Sequence, residues 1–507
     1  MTKHLGLMLC ISSACILGGC RLSDPLDDVS RVSLADRPAL QKCLAAPDLP
    51  GNQWTPRAGK ARCWLSLPQE PSLHEIAQTL QKPNGAATLD RQYAQILAEH
   101  YSDPAHRDFL FAAYQDFGTA DGRKLAADWL AKSPNNPYAQ LAQAEAVLAQ
   151  AWTVRGNAYA SETTDEQFEG MASQLRDAVP LLQSVLQAEP KLSPACVALM
   201  QIGSMVPDES LRVPATRGCM RVDPLSWHVN DQWMLDVDPR WKRGEASFND
   251  LDRAIAQIRL HVKDSPMLGS LLAKGIGRRA YLHYQSSDLT PIATELDLAA
   301  HTAPDAFYLA KAGMALQQAH DPRKALDYVS QALRFSPNEP DFLIDRAELL
   351  ESLGRGDEAH ADARLAGAQK PEDCGCDDYY PRLATFYGGL DEVNDERVIL
   401  QKDILLVKDH KWALTVLCQT YLGLHLDGGH ALTCTRQLIT EYPDDSEAVY
   451  LRALAFYNAH DPAAAEFDAR YRSMDGRDNP NRAMEIQQLD GLKKMPVASN
   501  ETSSRAP

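Results

Sequence analysis

From Ala306 onward the chain repeats a pattern of apolar and small positions with a period of about 34 residues. Counting from Ala306, the pattern is Leu309, Gly313, Leu316, Ala325, Val329, Ala332 and Pro337; from Pro340 it returns as Leu343, Ala347, Leu350, Ala359, Ala363, Ala366 and Pro371. Spacings of three, four and seven predict two amphipathic helices per period, with small side chains where they cross and a proline that stops the second. A third register starts at Trp412 (Leu422, Ala431, Leu438, Pro443) and a fourth at Ser446 (Val449, Ala453, Phe456, Ala465, Ala469). The step from Pro371 to Pro443 equals two periods with four positions to spare. The stretch 374–411 therefore fits one divergent repeat, with Tyr387-Gly388-Gly389 inside or ending its first helix. Five consecutive helix pairs are expected over 306–478. A last solvating helix is expected between Asn479 and Met495, and the polar tail 497–507 reads as disordered.

Upstream the helical pattern continues in a looser register. Residues 72–134 predict about three amphipathic segments, broken at Pro83-Asn84-Gly85, Asp103-Pro104 and Ser133-Pro134. A helix pair follows, with Ala144 and Ala178 at its two small positions. These lie a whole period apart where about a third of one would serve, so about 22 residues are inserted. The first helix is expected to run through Trp152 and the chain to loop near Gly156. A new helix should be capped at Thr163 or Thr164, where Thr164-Asp165-Glu166-Gln167 matches a capping box.

The periodic pattern resembles the tetratricopeptide repeat. The resemblance implies an all-α solenoid of helix hairpins, with a concave groove for a protein partner, preceded by the less regular helical region 72–305. Within that region Ala151-Trp152, Arg155-Gly156 and Tyr159-Ala160 resemble the core motif of the bacterial domain of unknown function 4034. The run Val237-Asp238-Pro239-Arg240-Trp241-Lys242-Arg243-Gly244 is similar to its later motif, although Lys242-Arg243 separates the tryptophan from the glycine. That resemblance spans roughly the stretch 110–335 and implies fold, not activity.

The first twenty residues add a location. Lys3 precedes the apolar stretch Leu5–Leu17, which is too short to span a bilayer, and Leu17-Gly18-Gly19-Cys20 follows. This resembles the bacterial lipobox, in which the cysteine is acylated and becomes the N-terminus. Cys15 fits less well because Ser12 takes the aliphatic position. Residues 1–19 are thus expected to be a lipoprotein signal peptide and Cys20 the lipidation site. Residues 20–30 read as a polar tether and 31–71 as an irregular, disulfide-linked segment. Arg21, rather than Asp, after the cysteine resembles outer-membrane sorting, with the protein facing the periplasm. Eight cysteines then remain, an even number in an oxidising compartment. Cys418 and Cys434 lie equidistant from Leu426, Cys196 and Cys219 centre on Pro207-Asp208, and Cys43 and Cys63 bracket Pro50-Gly51-Asn52. Equal depth on antiparallel helices favours bridging within each pair. Cys374 and Cys376 have no such partner; a bridge is the reading of choice over a metal site, because no matched second thiol pair is present.

The formal net charge is −17 and no basic run appears, which argues against nucleic acid or anionic lipid as the main ligand. HExxH, GxSxG and phosphate-cradling loops are missing from the sequence, so no enzyme and no cofactor is expected. Trp152, Arg155 and Tyr159 fall at helical spacing and form a candidate partner-binding patch, with packing of the enlarged hairpin as the plainer reading. Trp227, Trp233 and Trp241 read as packing, and His425 and His430 around Asp427 as a surface turn. The expected function is a membrane-anchored periplasmic scaffold for a protein partner. The alternatives are an immunity protein against a secreted antibacterial effector and, third, a hydrolase.

Overall fold

A computed structural model describes residues 25–27, 29–31, 34, 36–67, 71–104, 106–156, 163–206, 208–239, 248–282, 287–369, 379–407, 409–424, 426–476 and 479–494. The protein is all-α, and no strand occurs among the described residues. It divides into two compact units, 1–337 and 338–507.

In the second unit the helices pair as Pro340–Ser352 with Gly356–Ala368, Tyr379–Gly389 with Val393–Leu406, Lys411–Leu422 with Gly428–Glu441, and Ser446–Asn458 with Ala464–Ser473; a further helix, Arg482–Lys493, follows. The first regular pair, Ala306–Gln318 with Pro322–Phe335, belongs to the first unit. The local chemistry holds along most of the array, but in the last pair the expected Ala465 and Ala469 are exposed and Ala464 and Asp468 take the buried face. The small residues Ala325, Ala332, Ala359, Ala363, Ala366, Ala431 and Ala453 are buried where helices cross. A side chain at Gly313 would meet Val329 Cγ2 at 2.6 Å. Aspartates 305, 321, 427 and 445 cap helix starts by accepting from backbone N–H groups of the first turn. A left-handed residue turns the chain within four of the five pairs: His320, Gly354, Asp391 and His460.

In the first unit, residues 72–132 form four helices rather than three: Leu73–Leu80, Gly85–Ser102, Phe109–Gln115 and Ala120–Lys132. The extra break falls at the Asp116–Gly118 turn, because Thr119 starts a new helix by accepting from Gly122 N–H. The enlarged hairpin runs Pro137–Arg155, then Asp165–Ala188 from a Thr164–Gln167 capping box. The pair Ser193–Met205 and Glu209–Val222 is bridged by Cys196–Cys219. Helices Trp227–Val237, Phe248–His261, Gly269–Leu282 and Ala293–Thr302 complete the unit.

The N-terminal segment is built into the first unit. Helices Arg37–Ala45 and Pro56–Leu65 are joined by Cys43–Cys63. Arg334 donates to the Cys43 carbonyl (2.8 Å) and pairs with Asp48 (2.7 Å), Gln331 donates to the Pro47 carbonyl, and Gln53 N–H donates to the His301 carbonyl. These bonds hold the first regular pair, and the Ala293–Thr302 helix before it, to the N-terminal hairpin, so the break between units falls one pair later than the start of the repeat. The expected tether over 20–30 is also shorter than the sequence pattern implies. Pro25–Asp27 forms a helical turn, Leu26 is fully buried with its carbonyl accepting from Trp64 Nε1 (3.0 Å), and Asp27 pairs with Lys60.

Candidate functional site

The second unit carries a cleft of about 470 Å³ between its second and third helix pairs. Helix Lys411–Leu422 makes one wall. Ala413, Leu414, Leu417, Cys418 and Tyr421 are buried. Trp412, Val416, Gln419 and Thr420, spaced by helical turns, face the cleft with Gly423 and Leu424 beyond the helix end. Trp412 is 44% exposed and Leu424 is 95% exposed. Thr385, Gly388 and Gly389 from the preceding first helix, and Val393 and Glu396 from its partner, form the other wall, with the left-handed Asp391 at the turn between them.

Bonds behind the walls fix this geometry. Arg397 donates to the Thr420 hydroxyl (3.0 Å) and carbonyl, and stacks 4.2 Å from the Tyr421 ring centre. Gln419 donates to Glu447 (2.7 Å), tying the wall to the next pair. Cys418–Cys434 clips helix Lys411–Leu422 to its partner, with Cα atoms 5.4 Å apart. Glu396 is half-buried, and burial pushes its carboxyl above the usual range, partly offset by Arg397. Its carboxylate lies over the bare backbone of Gly388, where an added Cβ would stand 2.9 Å from Oε1. An indole, an isolated leucine and a half-buried acid around one concavity suit a peptide segment of a partner.

The candidates read from sequence are placed differently. Helix Pro137–Arg155 ends at Gly156, which adopts a positive φ of 78°, so the helical face shared by Trp152 and Arg155 stops there. Trp152 is 48% exposed, and the Arg155 guanidinium lies 5.6 Å from its ring centre and 5.7 Å from that of Phe168. Tyr159 lies outside the described residues, as do Cys20, Cys374, Cys376, His425 and Arg240–Gly244. His430 pairs with Asp427 (2.8 Å) and stacks on Tyr421. Trp412 was not among the sequence candidates. Its signal was an aromatic residue opening a repeat whose buried stripe lies on other residues of the same helix.

A serine, a histidine and aspartates also meet in the first unit, all buried. His100 Nε2 lies 2.6 Å from Asp223 Oδ2, and its Nδ1 accepts from Asp108 N–H. The Ser226 hydroxyl donates to Asp108 (2.6 Å), not to the imidazole. Both ring nitrogens and the hydroxyl are thus engaged in joining the Gly85–Ser102 helix to the cap of Trp227–Val237. This is not the nucleophile–base geometry that hydrolysis needs. Among the described residues no cluster of three or more His, Cys, Asp or Glu is placed to hold a metal, and no helix is long and apolar enough to cross a membrane.

No family profile and no curated protein matches the chain. Solved structures with similarity include the P58(IPK) TPR domain (13% identity, TM-score 0.22, 78% of this chain and 98% of that one). A monomeric IFIT1 mutant with Gppp-AAAA shows 12% identity and a TM-score of 0.34, covering 88% of this chain and 96% of that one. The human IFIT1 dimer with PPP-AAAA shows 12% identity and a TM-score of 0.33, covering 81% and 93%. The fold class stands on the helix pairs themselves.

Proposed function

We propose that this protein is an envelope scaffold, anchored through a lipid on Cys20 and facing the periplasm, that holds a segment of a partner protein in the Trp412 cleft. The observation that carries the reading is the cleft itself: a rigidly braced concavity with a half-exposed indole that the chain leaves unfilled. A buried aromatic anchor contributes more to binding than the contacts around it. Replacing Trp412 by a photoreactive phenylalanine should therefore trap a discrete adduct in the native envelope. The same substitution at exposed Met484 on the last helix serves as control. A discrete adduct at 412 alone supports the reading; equal labelling at both positions, or none at either, rejects it. Trp412→Ala should abolish recovery of the same partner without changing the melting temperature.

The acidic surface favours a second reading, in which the partner is a cationic secreted effector and the protein its immunity factor. Self-intoxication of a deletion strain beside effector-armed siblings is the expected outcome there, and normal growth counts against it.

A further inference from the structure

Charge is divided unevenly along the chain. Residues 338–507 hold 31 acidic and 18 basic residues, a formal −13 of the total −17, in a third of the length. The cleft follows the same bias, since its charged lining residues are Asp391 and Glu396, both acids. Glu396 is the telling group. It is half-buried on Gly388, and its carboxylate has neither a hydrogen-bond partner nor an ion pair among the described residues. Arg397 offsets that burial only in part, because its guanidinium bonds Thr420 and stacks on the Tyr421 ring. Burying a carboxylate without a partner costs free energy that a cation supplied from outside would recover. The Trp412 indole beside it offers a face to the same cation or to an apolar side chain.

We propose that the segment seated in this cleft is cationic and apolar: a lysine or arginine that reaches Glu396, one or two turns from a large apolar side chain that packs on Trp412 and Leu424. The assignment rests on reading the cleft as a partner site. It excludes acidic segments, because a carboxylate would meet Asp391 and Glu396 in a partly desolvated space.

Three 12-residue peptides of one Leu/Phe pattern, differing only in Lys, Ser or Glu at the polar positions, test it by calorimetric titration of the full-length protein. The Lys peptide should bind at least ten-fold tighter than the Glu peptide and lose that affinity in Trp412→Ala. Glu396→Gln, which keeps the shape and the fold, should weaken the Lys peptide about five-fold and leave the Ser peptide unchanged. Three results overturn the proposal. Equal or tighter Trp412-dependent binding of the Ser or Glu peptide removes the charge assignment and leaves the cleft as a binding site. Lys-peptide binding that survives Trp412→Ala assigns the attraction to the general surface. No Trp412-dependent binding by any peptide removes the cleft reading as well.

Discussion

Gly277 shows how tightly single positions are constrained. A Cβ there would stand 1.9 Å from Tyr308 Cε1, inside a ring held between two helices. Gly277→Ala should lower the stability of the first unit by about 1–3 kcal/mol, the usual cost of overpacking. Gly218→Ala, in the helix Glu209–Val222 with nothing within 4 Å of the new methyl, should raise it by about 0.5–1 kcal/mol through backbone entropy. Denaturant titration of the two variants checks the pair, and equal effects would refute the packing argument. At this scale the sequence was only partly legible. Gly313 could be read as a packing glycine because it holds a small position of the repeat. Gly277 could not, because the register is loose there and the ring it touches lies two helices further along the chain. Trp412 escaped notice for a related reason: position in a repeat does not say which face of a helix is left uncovered. Trp152 and Arg155 were legible as neighbours, and so was the end of their helix, which falls at the Gly156 where a loop is expected.

Between elements, short charged contacts join one pair to the next. His360 on Gly356–Ala368 donates from Nδ1 to the Gly356 carbonyl (2.6 Å) and from Nε2 to Glu392 (2.6 Å), just before Val393–Leu406. The carbonyl bond, and then the carboxylate, hold its pKa above the ordinary value. A group with a raised folded pKa contributes fully below its unfolded value, about 6.5, and loses that contribution as pH rises through the folded value. His410, paired with Glu441, is also raised and adds the same sign. The melting temperature of the second unit should therefore fall as the pH rises above about 6.5. His360→Gln should flatten the slope, and an unchanged slope would remove the histidine from the explanation. The array was legible element by element. Five pairs follow from alanine, glycine and proline spacing, and even the divergent third pair ends its first helix at Gly389. The Asp116–Gly118 break went unread although the apolar run 109–114 stops at Gln115 and Gly118-Thr119 marks the restart, because no proline punctuates it. The hairpin bridges were accessible because two cysteines equidistant from a turn have little choice of partner.

In the whole molecule the disulfides lie in both units, with Cys43–Cys63 and Cys196–Cys219 in the first and Cys418–Cys434 in the second. Cys43–Cys63 closes a 20-residue separation in the first, and Cys418–Cys434 a 16-residue separation in the second. Each is worth about 3 kcal/mol by loop closure. Replacing both cysteines of one bridge by serine should raise hydrogen exchange in its own unit and leave the other unchanged. Exchange that rises throughout the chain would show the two units to be a single cooperative block. The fold of Leu26 under Trp64 has a consequence for reach. With the lipid that we propose on Cys20, five residues separate the anchor from Leu26, the first buried side chain among the described residues, a span of about 20 Å even when fully drawn out. On that proposal, so short a leash would confine the protein to a thin layer at the membrane surface. The partner proposed above would then have to come to the membrane surface to be caught, and lengthening the leash by twenty flexible residues would widen the catchment without touching a single contact.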